Sequence, residues 1–147
     1  MVDGTDLIGA DRPDVAVLVY GEQPYAENHG DVKFAIYNDR EMLEQLWQLR
    51  DAGIPTVSIV LSGRPLWMNP EIDASSAFVA AWLPGTEGGG VADVLIGDAE
   101  RRPRFDFSGR LPFQWPNGPY PPNTGHADSG ETWPLGFGLS YAMPASP

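Results

Sequence analysis

The chain contains no cysteine. Without a thiol there is no disulfide, no thiolate nucleophile and no zinc–thiolate centre. Cations are scarce as well: 9 Lys and Arg stand against 20 Asp and Glu, giving a net charge of −11. A surface of that sign repels phosphate backbones and anionic headgroups, which argues against nucleic acid and membrane as partners. No apolar run approaches the ~20 residues of a membrane-spanning helix. The polar, acidic start Met1-Val-Asp-Gly-Thr-Asp6 is unlike a secretory signal. Only two histidines are present, His29 and His126. With the scattered carboxylates they make no metal-ligand spacing, and no metal or other cofactor is expected.

What is present suits one globular domain. A length of 147 residues with 42% hydrophobic content is enough for a single sizeable core. The 15 prolines and 17 glycines follow no period. Many fall between Pro112 and Pro147, which reads as irregular chain or polyproline II. Five tryptophans and five tyrosines are many for this length. Rings of this kind fill cores, and beside acidic groups they also serve sugar sites, where the apolar face of a pyranose packs on a ring while its hydroxyls need acceptors.

The order of elements points to an α/β fold. Asp14 to Tyr20 is a nearly continuous apolar run bounded by Pro13 and Gly21, as expected of a strand buried on both faces. Asp39 to Gly53 places Met42, Leu43, Leu46, Trp47 and Leu49 at helical spacing, with Asn38 or Asp39 to cap the start and Gly53 to close the end. Pro55 to Leu61 is a second buried strand. Strand, helix, strand predicts a βαβ unit with parallel strands. Pro65-Leu-Trp-Met68 is a strand fragment, and Ala77 to Leu83 is a third strand. Pro84 to Gly90 breaks it, and Val91 to Gly97 reads as a short helix with Val91, Val94 and Leu95 inward. In such sheets ligands bind beyond the carboxyl ends of the strands. The loops Gly21–Asp31, Ser62–Pro65 and Pro84–Gly90 should therefore converge.

The first loop is the most heavily charged, with Glu22, Glu27, His29 and Asp31 inside eleven residues. The other two offer less. Gly85-Thr-Glu-Gly-Gly-Gly90 has no lysine and neither phosphate-binding spacing, so a tight turn is the better reading. Ser62-Gly-Arg64 lacks the Gly-x-Ser-x-Gly pattern of a nucleophile elbow. For Glu22 and Glu27 two readings stand: a pair of solvated glutamates, or a general acid whose pKa is lifted by partial burial.

Five segments in order, Gly21-Glu-Gln-Pro-Tyr-Ala-Glu-Asn-His-Gly-Asp31, Leu61-Ser-Gly-Arg-Pro-Leu66, Ala80 to Asp98, Phe107-Ser-Gly-Arg-Leu-Pro112 and Pro134-Leu-Gly-Phe-Gly-Leu-Ser-Tyr141, resemble the C-terminal α/β-sandwich domain of glycoside hydrolase family 3. The likeness runs from about Asp14 to Tyr141 and is nearest to the exo-acting β-glucan glucohydrolases and β-glucosidases of the family. It implies a three-layer α/β/α sandwich with a mostly parallel sheet, truncated at its amino-terminal side and ending in a Pro/Gly-rich irregular segment. It also implies one domain over residues 1–147, with the catalytic (β/α)8 barrel that carries the nucleophile absent from them.

On the same resemblance Glu27 matches the acid/base of a retaining hydrolase of β-glucosides or β-glucan oligosaccharides. Glu22, Tyr25, His29, Asp31, Arg64 and Trp67 would support it or bind substrate. Arg64 is expected to pair with Glu22 or Asp31, His29 to tune Glu27, and Glu87 to cap the helix that follows it. Trp67 and Trp82 would border a sugar subsite or fill the core. The segments Asp106–Pro112 and Gly136–Tyr141 would pack the returning chain against the sheet. The barrel-facing surface is expected to be apolar and to self-associate, and the parent enzyme to be periplasmic or extracellular. A non-catalytic module that binds glucan or glucose, or that only associates with a barrel, is the alternative.

Overall fold

In a computed structural model the described residues are 12–122, 124, 125, 127 and 130–142. His126 and the acidic start at residues 1–6 lie outside them. Three parallel strands, β1 (Ala16–Gly21), β2 (Thr56–Leu61) and β3 (Ala77–Trp82), form a sheet in the order β1-β2-β3. Ala16 is opposite Thr56 and Tyr20 opposite Val60, while Ser58 is opposite Phe78. Parallel neighbours need crossover connections, and helices supply both. A one-turn helix, α1 (Ala26–His29), and a longer one, α2 (Arg40–Asp51), lie between β1 and β2; α3 (Asn69–Ala74) joins β2 to β3. This is the expected α/β arrangement with a parallel sheet.

The long helix forms where its caps and apolar spacing dictate. The Asp39 side chain accepts a hydrogen bond from the Met42 amide at 3.0 Å. Past the other end Gly53 takes φ +67°, a conformation that costs a residue with a Cβ. Leu46 and Leu49 are buried beneath it, Leu46 completely. Each such leucine contributes about 1.5–3 kcal/mol by leaving water. Leu46 joins Tyr20, Val60, Leu66, Met68, Ala74 and Trp115 in the main core, and Leu49 packs with Ile54, Ala16 and Leu18.

Several expectations need correction. The first strand is not buried on both faces: Ala16, Leu18 and Tyr20 face the core, while Val17 and Val19 remain 54% and 57% exposed. A helix not anticipated, α3, starts around Pro70, which fits the first helical turn because no amide partner is needed there. The helix α4 spans Gly88–Leu95, so it begins three residues before Val91, inside the glycine run. Glu87 occupies its N-cap position, but its side chain makes no capping hydrogen bond. The carboxyl-terminal segment is not wholly irregular: β4 (Trp115–Pro116) and β5 (Glu131–Trp133) pair antiparallel.

The strand fragment at Pro65–Met68 is a single parallel bridge, Ile36 to Trp67, with the Trp67 amide on the Ala35 carbonyl. The segments Asp106–Pro112 and Gly136–Tyr141 close on each other. The Leu111 amide donates to Phe137 O, the Gly136 amide to Leu111 O and the Tyr141 amide to the Asp106 carboxylate, each at 2.8 Å. Trp133 stacks flat on Phe137. Trp82 serves an aromatic cluster, its ring 5.5 Å from Phe113 and 6.1 Å from Trp115.

Candidate active site at the strand ends

Beyond the carboxyl end of β1 the chain must turn away from the sheet while passing close over β2. Gly21 allows this: a Cβ there would lie 2.0 Å from the Leu61 carbonyl oxygen. The next amide, that of Glu22, donates to that same oxygen at 3.0 Å. Backbone geometry alone thus delivers the Glu22 side chain to the end of β2, where Ser62 and Arg64 emerge.

There the charges pair. Arg64 Nη2 is 2.7 Å from Glu22 Oε1, and its Nε is 3.2 and 3.4 Å from the two carboxylate oxygens. Both side chains are about four-fifths buried, which strengthens a charge-assisted pair relative to a surface one. Burial works against the Arg64 charge, yet the hydrogen bonds and field of Glu22, with smaller contributions from Tyr25 and Asp31, hold its pKa above the usual value. Arg64 Nη1 also donates to the Val32 carbonyl at 2.8 Å, and its guanidinium carbon lies 5.1 Å from the centre of the Tyr25 ring.

Ser62 is buried among these groups. Its hydroxyl lies 3.2 Å from Glu22 Oε2 and 2.8 Å from the Arg64 carbonyl. A hydroxyl has one proton, so it donates to one of them at a time. It also accepts the Arg64 amide at 3.2 Å. The Ser62 amide donates to the carbonyl of Trp82, whose φ of +55° is one of two positive values at non-glycine residues among those described. The ends of all three strands therefore meet through Glu22, Ser62 and Trp82.

Tyr25 is the N-cap residue just before α1, its carbonyl accepting from the Asn28 and His29 amides at 3.0 and 2.9 Å. Glu27 and His29 are on that single turn and both are exposed. Of the two readings left open for Glu27, a solvated glutamate or a partly buried acid, these residues show the first: its side chain is exposed. Asp31 is exposed and acts on Arg64 through its field, Glu22 taking the direct pairing. Trp67 is half-buried at its bridge to Ile36. From Pro84–Gly90, the third loop, Glu87 contacts Thr86 rather than the Glu22–Arg64 pair. The residues missed from sequence were Ser62, read there only as an unsuitable nucleophile, and the Val32 carbonyl. A buried hydroxyl at a strand end is a legible signal; a backbone carbonyl leaves none.

The class defined by these features is a parallel α/β domain that presents an exposed carboxyl on a braced loop at its strand ends. Comparison with known proteins gives the family. Residues 6–141 match the glycosyl hydrolase family 3 C-terminal domain, and the chain belongs to this family. It is 38% identical over 146 residues to the lysosomal beta glucosidase of Dictyostelium discoideum and 29% identical over 156 residues to the periplasmic beta-glucosidase of Salmonella typhimurium. Those matches cover 90% of this chain but only 16% and 20% of the relatives' lengths. Among solved structures, a mutant of the exo-1,3/1,4-beta-glucanase of a Pseudoalteromonas species superimposes with a TM-score of 0.81 at 45% identity, covering 92% of this chain and 22% of that one.

Proposed function

We propose that this chain supplies the general acid/base, Glu27, to a retaining active site whose nucleophile and most sugar contacts belong to a barrel domain outside these residues. The substrates would be β-glucosides or short β-glucans, the class named for the beta-glucosidases and exo-glucanase it resembles. The observation that carries the reading is Glu27 exposed on a single helical turn whose flanks are tied to the sheet at Glu22, Tyr25 and Val32. A donor shared between domains must protrude, and its support must be rigid.

In the first step Glu27 gives its proton to the glycosidic oxygen as the barrel carboxylate attacks the anomeric carbon and the aglycone leaves. In the second, ionised Glu27 takes a proton from water, whose oxygen attacks the same carbon and frees the nucleophile, restoring both groups. Retention requires the two carboxyls about 5–5.5 Å apart.

The test compares leaving groups in the full-length protein that contains this sequence. Glu27→Gln should lower kcat/KM on a β-linked glucose disaccharide on the order of 10²- to 10⁴-fold. A 2,4-dinitrophenyl β-glucoside, whose leaving group needs no proton, should lose much less in its glycosylation step. Unchanged disaccharide hydrolysis, or equal losses on both substrates, would refute the assignment. A wild-type protein that shifts its melting temperature with glucose yet hydrolyses neither substrate would favour the non-catalytic module.

A further inference from the structure

We propose that Arg64 is the positioning residue of this site, a three-point pin that holds the Glu27-bearing loop from the end of the neighbouring strand. The inference rests on Glu27 as the proton donor and concerns what fixes that donor in place. One guanidinium reaches the loop's entry at the Glu22 carboxylate, the residue that opens the single turn at the Tyr25 ring, and the loop's exit at the Val32 carbonyl. Glu27 lies between the second and third of these points.

The geometry suits arginine and no other cation. Its planar fork directs Nε and Nη2 at one carboxylate while Nη1 donates elsewhere, and its flat face remains free for the Tyr25 ring. A lysine ammonium carries its three donors on one atom and cannot present the planar fork that Arg64 turns to the Glu22 carboxylate. Arg64 is itself braced from behind, because Ser62 receives its amide and reaches the same Glu22. Ser62 is fixed in turn by the Trp82 carbonyl. The pin is thus anchored to β2 and β3, while the loop it holds leaves from β1.

This arrangement divides the two glutamates of the loop. Glu22 is committed to Arg64, and among the described residues Glu27 makes no such pairing. Loss of the pin should leave Glu27 chemically intact but badly placed, and a misplacement of about 1 Å costs on the order of 10²-fold in rate.

Arg64→Lys, Arg64→Ala and Tyr25→Leu in the full-length protein separate the possibilities. Amide exchange across residues 26–32 should accelerate in all three, most in Arg64→Ala. On the disaccharide, kcat should fall about 10-fold in Arg64→Lys and on the order of 10²-fold in Arg64→Ala with KM nearly unchanged. The kcat/KM of the 2,4-dinitrophenyl glucoside, which reports only its glycosylation step, should be spared, and added guanidinium should partly restore Arg64→Ala. A merely structural arginine would depress both substrates together. Equal losses on the two substrates, or unaltered exchange in residues 26–32, would overturn the pin while leaving the Glu27 assignment standing, provided Glu27→Gln keeps its own leaving-group dependence. If Glu27→Gln shows none, the donor assignment fails and the positioning role fails with it. Tyr25→Leu changes only the loop side of the contact, so the comparison survives if the Arg64 variants fold poorly.

Discussion

Glu71 shows how much one buried group governs. It lies on α3 with 3% of its surface exposed, and its Oε2 has no hydrogen-bond partner among the described residues. Burial raises its pKa above the ordinary 4.5; a hydrogen bond from its own amide lowers it and the field of Asp39 raises it. Tyr20 nearby is pushed up to about 12, chiefly by burial, and Tyr37 is raised as well. A carboxyl with a raised native pKa keeps its proton in the folded state after the unfolded chain has lost it. Its stabilising contribution is therefore complete below pH 4.5 and is lost as pH rises through the native value. In Glu71→Gln this loss should vanish. Urea unfolding from about pH 4 to about pH 8 should show the variant gaining on the parent as pH rises. Parallel curves would mean that Glu71 is ionised or solvated in the native protein.

At the scale of elements, α2 offers the sharpest test because its cap does two jobs. Asp39 Oδ1 accepts the Met42 amide, and Oδ2 accepts the Tyr37 hydroxyl at 3.2 Å. Asp39→Ala should cost about 0.5–2 kcal/mol in denaturant unfolding, and Asp39→Asn considerably less. A loss in Asn as large as in Ala would shift the credit from the cap to the carboxylate charge.

This helix was legible because cap, spacing and closing glycine agree. The three strands were legible as short apolar runs, but not the exposure of β1: Val15-Ala-Val-Leu-Val has no polar alternation to mark its open face. The β4–β5 pairing was hidden because two short segments separated by a long proline-rich stretch carry no periodicity. The early start of α4 overrides the poor helix propensity of Gly88–Gly90. At the site, the resemblance implied that Arg64 pairs with Glu22 or Asp31, and the direct pairing falls to Glu22. The Val32 carbonyl and the exposed setting of Glu27 depend on loop backbone, which residue types do not encode.

The whole molecule has two unequal sheet faces. Ala16, Leu18 and Tyr20 point into the core; on the opposite face Val17 pairs with Val57 and Val19 with Ile59, which continues to Val79 on β3. That row is apolar across three strands, and its β1 end is more than half exposed. Contiguous apolar surface of this sort promotes association. Val17→Thr with Val19→Thr keeps the β-branched shape that suits a strand and replaces one methyl by a hydroxyl at each position. Because both side chains are already wet, the change should stay within about 0.5 kcal/mol per site in unfolding experiments on this chain. Sedimentation and apolar-dye binding should both report a less sticky surface. The opposite result is equally informative: each threonine hydroxyl buried without a partner costs about 1–3 kcal/mol. A loss of that size would show that the valines are covered in solution by a second copy, and it should then grow as the protein is concentrated.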